Sequence, residues 1–476
     1  MKKIEKLVTH INTVFYDYKS SRNILLTNTN KEELNLEEKT IQINKECEKI
    51  VKKELSFGTL NSENRYFHIA FDNYSSFKRN EKDELIYKIE KINDDYYIST
   101  GLYCGVINLG EKLPQIQIET GLSDIFFKRM LSFCCGVYAD TFSSETSSED
   151  ESIYSLLIQY LFLISLRKVA GKSIPKKYVM VKERGYDIKG NIDVESFVNN
   201  DILAFDKKIT YNYSKRLEIQ SIIDVLYTAL RHCKISQQKN ILPTIHEFQR
   251  YINDLYSGKR PTNYVINNIL KEKCLFNSLY SDFKRPLEYA KILIKNNDLS
   301  SDGKEKTKGV SGFLVDASFL WEMYLYNLMT LYLKDWYIES QCEISFYNAT
   351  FFSKNNYPDF VLRHKKTNKV FILDAKFKKM NFISTDVDNE DIRQLHSYSY
   401  YFHLKEEENF MGAGLIYPTK KDRPKDINNI DNIYGIKTTN KKFGVFSIKD
   451  PDKDNEETLY KNEMDFIKEL TSFLEQ

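Results

Sequence analysis

The sequence lacks the features that mark several common classes of protein. It contains no P-loop and no GxGxxG motif, so we expect that the chain cannot hydrolyse GTP by itself. Its seven cysteines form no Cys-x-x-Cys pair and its seven histidines form no zinc pattern, which favours a reduced, cytoplasmic protein. No apolar run is long enough to span a bilayer, and the N-terminus has no signal-peptide core. The net charge is only +2, so overall charge does not predict nucleic-acid binding, and any such binding would need local patches or a partner.

Two apolar segments near residue 365 carry acidic residues in a specific order. The first reads Tyr357-Pro-Asp-Phe-Val-Leu, and the second reads Phe371-Ile-Leu-Asp-Ala-Lys-Phe. Both are typical of buried strands. Side chains alternate along a strand, so Asp374 and Lys376 are expected to point to the same face. This order is what a Mg²⁺-dependent phosphodiesterase of the PD-(D/E)xK kind requires.

The chemistry of phosphodiester hydrolysis explains these residue types. A hard divalent cation neutralises the charge that develops on the phosphate oxygens. Mg²⁺ prefers oxygen ligands and keeps several waters, so one or two carboxylates are sufficient. We predict that Asp359, Asp374 and the backbone carbonyl of Ala375 bind Mg²⁺, which Mn²⁺ is expected to replace. Lys376 is expected to orient or deprotonate the attacking water and to hold the phosphate. The alternative is that Asp374 and Lys376 form an ordinary solvated ion pair.

Two helices supply further candidate residues. The segment from Asp316 to Leu331 has apolar residues at helical spacing, and Glu322 lies in its middle. Glu322 is either an additional acidic site residue or a solvated helix glutamate. Gln394 and Tyr398 are four residues apart and share a helix face. They are expected to hydrogen-bond Lys376 or the DNA backbone, unless they belong to a polar helix surface.

The chain resembles McrC, the nuclease subunit of McrBC-type restriction systems, and its LlaJI-type relatives. Three blocks between about residues 100 and 400 carry the resemblance, in the order found in the family. They are Leu102–Gly110 with Ile116–Gly121 and Arg129–Phe133, then Val181–Val194 with Tyr211–Ser214, and finally Phe319–Tyr398.

The resemblance implies a Mg²⁺-dependent DNA endonuclease that works inside a complex. Its partner would be a separately encoded McrB-like AAA+ motor that binds GTP, and double-stranded DNA would be the substrate. The residues that match the family's nuclease motif are Asp359, Asp374 and Lys376, followed by Gln394, Tyr398 and Glu322. Two alternatives stay open: an autonomous PD-(D/E)xK nuclease in repair or mobile-element function, and a catalytically silent DNA-binding scaffold.

The order of predicted elements indicates an α/β protein, α+β overall, that is too long for one ordinary core. We predict an N-terminal α+β domain over residues 1–141, which would dock the partner, and a helix-rich middle domain over 150–296. A PD-(D/E)xK nuclease domain is predicted over 312–476, ending in a helix near Glu463 to Leu474. Within the middle domain, we predict a buried apolar helix near residue 160 and a short strand pair around Val179 to Val194. A Ser-rich acidic stretch at 142–152 and a polar stretch at 296–309 are predicted to be the loops between them.

Overall fold

A computed structural model describes residues 6–10, 25–27, 54–56, 66–70, 85–92, 95–108, 115–135, 153–204, 206–233, 242–301, 311–348, 353–378, 380–383, 386–424, 441–451 and 455–475. These residues form a mixed α/β fold, which confirms the predicted class. They divide between two compact units. One unit contains the described residues of 1–143 and 307–476, and the other contains those of 144–306.

The strands of the described residues are β1 (Lys6–His10), β2 (Leu25–Thr27), β3 (Glu54–Ser56), β4 (Tyr66–Ala70), β5 (Leu85–Ile92), β6 (Asp95–Thr100), β7 (Tyr103–Asn108), β8 (Gln115–Glu119), β9 (Lys176–Gly185), β10 (Asn191–Ile192), β11 (Ile209–Glu218), β12 (Ser311–Asp316), β13 (Trp336–Ser340), β14 (Ile344–Asn348), β15 (Ser353–Asn356), β16 (Phe360–His364), β17 (Val370–Ala375), β18 (Phe410–Thr419) and β19 (Lys442–Lys449). The longer helices are α1 (Asp124–Cys135), α2 (Ile153–Val169), α3 (Gln220–His232), α4 (Leu242–Leu255), α5 (Asn263–Asn268), α6 (Lys284–Ser301), α7 (Ala317–Tyr332), α8 (Asn389–Lys405) and α9 (Glu456–Glu475).

The first unit contains two larger sheets in its described part. One has the strand order β2-β1-β8-β7-β12-β4, and the other has the order β13-β16-β17-β18-β19. In the first of these, β12 pairs with β7 and with β4. The predicted domain boundary at residue 312 therefore falls inside a strand of the sheet that the N-terminal strands build. The three-domain division of the sequence stays a prediction.

The β13-β16-β17-β18-β19 sheet is the framework of the predicted site. Strand β16 is antiparallel to both β13 and β17, whereas β17, β18 and β19 run parallel to one another. Helix α8 connects β17 to β18, as a crossover between parallel strands requires. Because both faces of the sheet are covered, every residue of β17 is buried.

Different helices cover the two faces of this sheet. On one face, buried side chains of α8 and the strands form a common apolar cluster: Val361, Val370, Ile372, Leu395, Tyr398, Phe402, Ala413, Leu415 and Tyr417. On the other face, the ring of Phe473 from α9 lies 5.4 Å from the ring of Phe371 and 5.1 Å from that of Phe446. Trp321 of α7 contacts Phe377 there, at 6.1 Å between ring centroids. Alternation along β17 therefore directs Ile372 and Asp374 toward α8.

The second unit combines helices with a small sheet. Helix α6 packs against α2 and α3, and α2 is the buried apolar helix that the sequence predicts near residue 160. No helix among the described residues is long and apolar enough to cross a membrane. The predicted strand pair near residues 179–194 is wrong in its pairing. Strands β9 and β10 both pair with β11, whose Tyr211–Ser214 segment was not predicted to be a strand.

Several predicted boundaries also change. The polar stretch from residue 296 was predicted to be a loop, but α6 continues to Ser301, and residues 302–310 lie outside the described residues. The predicted acidic loop at 142–152 also lies outside them. The C-terminal helix begins at Glu456, earlier than the predicted start near Glu463. Polar residues in the first turns of this amphipathic helix weaken the periodic signal there, because that signal depends on apolar positions.

Candidate active site

The register of β16 and β17 places two predicted site residues opposite each other. Phe360 pairs with Leu373 in the antiparallel ladder. One residue further along, Asp359 therefore faces Asp374. Asp359 immediately precedes β16. The strand that was predicted to carry the Pro-Asp pair therefore begins one residue after that pair. Its Oδ2 accepts a hydrogen bond from the backbone N–H of Ala375 at 2.7 Å.

Asp374 and Lys376 contact each other, as alternation along the strand predicts. The Nζ atom of Lys376 lies 2.6 Å from Oδ2 of Asp374, and the Asp374 side chain is 1% exposed. No described residue gives either Asp374 oxygen a well-aligned hydrogen bond. The alternative of a solvated surface ion pair is therefore wrong. The carboxylate is held in the interior mainly by one lysine, which leaves it capacity for a further positive ligand.

Lys376 is surrounded by oxygen atoms from helix α8. Its Nζ donates to Oε1 of Gln394 at 2.7 Å and lies 3.8 Å from Oδ1 of Asp391. Gln394 in turn donates from Nε2 to the Tyr398 hydroxyl at 2.7 Å, and that hydroxyl lies 3.4 Å from the carbonyl of Tyr357. Gln394 and Tyr398 therefore share a helix face, and Gln394 contacts the site lysine, as one of the two sequence interpretations predicts.

Glu322 is 5% exposed, which excludes the alternative of a solvated helix glutamate. It lies on α7, and its Oε2 accepts a hydrogen bond from Nε2 of Gln341 at 3.0 Å. The same nitrogen donates to Oδ1 of Asp359, also at 3.0 Å. The structure thus joins Glu322 to Asp359 through an amide that the sequence analysis did not select.

Burial and neighbouring charges shift the pKa values of these groups. Burial raises the pKa of Asp359 well above its usual range, and the charges of Asp374 and Glu322 raise it further. Burial also raises the pKa of Asp374, although Lys376 opposes the shift. For Lys376, burial lowers the pKa, but the close negative charge of Asp374 outweighs it and the net pKa is raised. Burial and then the charge of Asp374 raise the pKa of Tyr398 to about 12. The site therefore has an excess of buried acidic groups, which a cation would relieve.

Sequence reasoning missed three residues besides Gln341. Lys378 donates to both oxygens of the buried Asp391, each at 3.0 Å, and the hydroxyl of Tyr417 lies 3.4 Å from Oδ2 of Asp391. Lys378 follows Lys376 by two positions, so alternation places it on the same side. Asp391 lies three residues before Gln394 and shares its helix face. These two spacings are the sequence features from which Lys378 and Asp391 could have been identified as site residues.

The acidic residues do not form a complete metal cage. Within the described ranges, no group of three or more His, Cys, Asp or Glu side chains has the geometry of a metal site. Mg²⁺ requires only one or two carboxylates when water completes its shell. The buried, poorly satisfied oxygens of Asp374 beside Asp359 fit such a ligand. The catalytic and metal-binding roles of Asp359, Asp374, Ala375, Lys376, Glu322, Gln394 and Tyr398 stay predictions.

The fold and the buried acidic cluster define a mixed α/β protein with a candidate metal-dependent site. The chain belongs to the family described as McrBC 5-methylcytosine restriction system component, which matches residues 98–418, more than half of the chain. The family membership predicted from the sequence is confirmed, and the chain is a component of a McrBC-type restriction system.

One solved structure shares the fold at low sequence identity, and a second shows a weaker similarity. One similar chain comes from the refined half-complex of the tetradecameric assembly of Thermococcus gammatolerans McrB AAA+ hexamers with bound McrC. It is 17% identical, with a TM-score of 0.50, and the match covers 98% of this chain and 99% of that chain. A chain of the cryo-EM structure of the Thermococcus gammatolerans McrBC complex is 16% identical, with a TM-score of 0.30 and coverage of 69% and 88%. No curated protein matches the chain significantly.

Proposed function

We propose that this chain is the Mg²⁺-dependent DNA endonuclease subunit of a GTP-driven McrBC-type restriction complex in the cytoplasm. The observation that carries the proposal is the meeting of Asp359, Asp374 and Lys376 where β16 begins and β17 ends, in the interior of the five-stranded sheet. Their order, with Gln394 and Tyr398 on the following helix, is that of a PD-(D/E)xK core. Family membership supports the restriction role.

The donor set favours a hard divalent cation. Asp374 offers buried carboxylate oxygens that lack well-aligned donors, and Asp359 lies opposite. These two carboxylates and the carbonyl of Ala375 would hold Mg²⁺, and Mn²⁺ would substitute. When bound, the ion supplies Lewis-acid stabilisation of phosphate charge and lowers the pKa of bound water.

The chain's own residues would position the reacting groups. Lys376 carries a positive charge at neutral pH because its pKa is raised. Its ammonium group is suited to hold a phosphate oxygen and to orient water by hydrogen bonding, rather than to act as a base. Gln394 and Asp391 hold this ammonium group from the side of α8. Fixed donors of this kind contribute to catalysis because they need little reorganisation during the reaction.

The energy would come from GTP hydrolysis by a partner chain. The sequence has no P-loop, and its family pairs such subunits with a GTP-hydrolysing AAA+ motor. A structure with a similar chain contains McrB AAA+ hexamers with bound McrC. We propose that a McrB-like motor brings double-stranded DNA to this chain, which compensates for a net charge of only +2.

The test is cleavage of plasmid DNA by the full chain, alone and with its McrB-like partner. Reactions would contain Mg²⁺ with GTP, Mg²⁺ without nucleotide, or EDTA. Asp374→Asn is the site variant. Asp335→Asn, at an exposed position in the same unit, is the matched control.

The proposal predicts cutting that needs Mg²⁺, GTP and the partner, is lost in Asp374→Asn and persists in Asp335→Asn. Cutting by the chain alone would instead establish an autonomous nuclease. Restriction of phage by cells carrying Asp374→Asn at the wild-type level would establish a catalytically silent scaffold.

A further inference from the structure

Gln341 is placed between two acidic residues that sequence reasoning assigned to the site. Its single Nε2 group donates to Oε2 of Glu322 and to Oδ1 of Asp359, each at 3.0 Å. A primary amide has two N–H donors, so each carboxylate can receive one of them. Two neighbouring carboxylates repel each other, and a shared donor offsets part of that repulsion.

The backbone of Gln341 also holds Asp359. Its N–H donates to the carbonyl of Asp359 at 3.1 Å. With the Ala375 N–H on Oδ2 and the Gln341 amide on Oδ1, both oxygens of the Asp359 carboxylate have a fixed partner. Rotation of this carboxylate is therefore restricted from two sides.

Gln341 has an unusual backbone conformation. It follows the last residue of β13, and its φ is 52°, in the left-handed region. Residues other than glycine, asparagine and aspartate seldom adopt this region, and they cost free energy there. Such strain persists where surrounding contacts over-determine it, and it concentrates at functional sites. Here, the three hydrogen bonds of Gln341 to Glu322 and Asp359 are contacts of that kind.

We propose that Gln341 is a positioning residue that sets the spacing and orientation of Glu322 and Asp359 for binding of a divalent cation. The inference rests on the proposed nuclease function. Gln341 touches neither Lys376 nor Asp374 in any described contact, so it acts through the two carboxylates. Residues that orient metal ligands in this way raise affinity without contacting the metal.

The test measures Mn²⁺ binding to the full-length chain by calorimetry, in Gln341→Gly and Gln341→Met. The glycine variant removes the amide and relieves the left-handed backbone. The methionine variant removes the amide but keeps the side-chain length and the backbone cost. If the amide is what matters, both variants should bind Mn²⁺ about tenfold more weakly than the wild type. Circular dichroism spectra that match the wild-type spectrum would show that both variants are folded.

A second readout separates positioning from general damage. The Mg²⁺ concentration for half-maximal cleavage with the partner and GTP should rise about tenfold, while the rate at saturating Mg²⁺ stays near the wild-type value. Wild-type Mn²⁺ affinity in Gln341→Gly would overturn the inference, even if Gln341→Met were impaired.

The Asp374→Asn variant distinguishes failure of the positioning role of Gln341 from failure of the proposed nuclease function. If the wild type binds Mn²⁺ and Asp374→Asn does not, a normal Gln341→Gly variant overturns the positioning role alone. If wild type and Asp374→Asn both fail to bind Mn²⁺, the metal site and the positioning role are both wrong.

Discussion

The ammonium group of Lys376 lies 2.6 Å from a carboxylate oxygen of Asp374, and the two residues share one face of a strand end in the protein interior. A second acidic group, Asp391, lies 3.8 Å from the same ammonium group. The net effect of these neighbours is that Lys376 stays protonated even though it is buried. This cluster is therefore arranged to hold a positive charge beside a carboxylate that has room for a cation.

Asp374→Asn should strongly reduce activity without unfolding the protein. The substitution keeps the shape of the side chain and removes a buried charge that lacks well-aligned donors. Cleavage with the partner, GTP and Mg²⁺ should fall by roughly 10²–10³-fold, the loss typical of removing one electrostatic group from an active site. Cleavage rates and urea unfolding of the same preparations would check both parts. An active but destabilised variant would contradict this role.

Gln394→Ala should reduce cleavage more than Tyr398→Phe does. Gln394 contacts the Lys376 ammonium group directly, whereas Tyr398 acts through Gln394. Loss of the hydroxyl leaves Gln394 able to bond Lys376, so we expect only a few-fold effect; loss of the amide should cost about tenfold or more. Single-turnover rates at saturating Mg²⁺ would rank the two variants. The reverse order would show that Tyr398 contacts the substrate itself.

Arg129→Met should strongly destabilise the first unit. Arg129 of α1 donates from Nε and Nη2 to the two oxygens of Glu463 on α9, at 2.9 and 2.8 Å. Glu463 is 0% exposed and also accepts from the Tyr324 hydroxyl at 2.8 Å. Removing the arginine leaves a buried charge poorly compensated, which costs about 3–5 kcal/mol. The free energy of unfolding in urea is the measurement.

The double variant Arg129→Met with Glu463→Met provides the control for this prediction. It removes both charges, so it should recover most of the lost stability. A double variant that is as unstable as Arg129→Met, or more so, would show that packing around Arg129, rather than its charge, is what matters.

Glu406 should make the stability of the first unit sensitive to acid. Arg363 forms two hydrogen bonds with this carboxylate, at 2.6 and 2.8 Å, and they lower the pKa of Glu406 in the folded chain. A lowered folded pKa means that the contribution is complete above the unfolded pKa, about 4.3, and is lost as the pH falls through the folded value. The Arg363 and Glu406 side chains are 38% and 18% exposed, so we expect only about 1 kcal/mol.

Glu406→Gln tests the sign of this effect. The difference in unfolding free energy between wild type and variant should be constant above about pH 5.5 and should shrink below about pH 4.3. A difference that grows as the pH falls would mean that the folded pKa is raised instead.

Local patterns in the sequence were sufficient for much of the site. Strand alternation placed Asp374 and Lys376 together, and the four-residue helical repeat placed Gln394 beside Tyr398. Both relations depend only on the geometry of one element, so they hold wherever that element packs. The apolar runs likewise predicted β17, α2 and α7, because burial requires apolar residues at those positions.

Other relations could not be obtained from local patterns. Gln341 directly follows β13, and its contact with Asp359 forms only when β13 pairs with β16. A glutamine after a short strand has no distinctive spacing. Glu322 had two equally consistent interpretations, since a helix can bury or expose its polar face according to what packs against it.

The sequence by itself determined the family, the fold class and the residues that share an element. It did so because periodicity and motif spacing are set by covalent geometry and by the alternation of buried and exposed positions. The tertiary structure alone decided which distant residues meet: Gln341 with Glu322 and Asp359, Asp391 with Lys376, and Arg129 with Glu463 across 334 positions of the chain. Such contacts depend on strand order and helix packing. The same local sequence pattern is compatible with more than one strand order or packing arrangement.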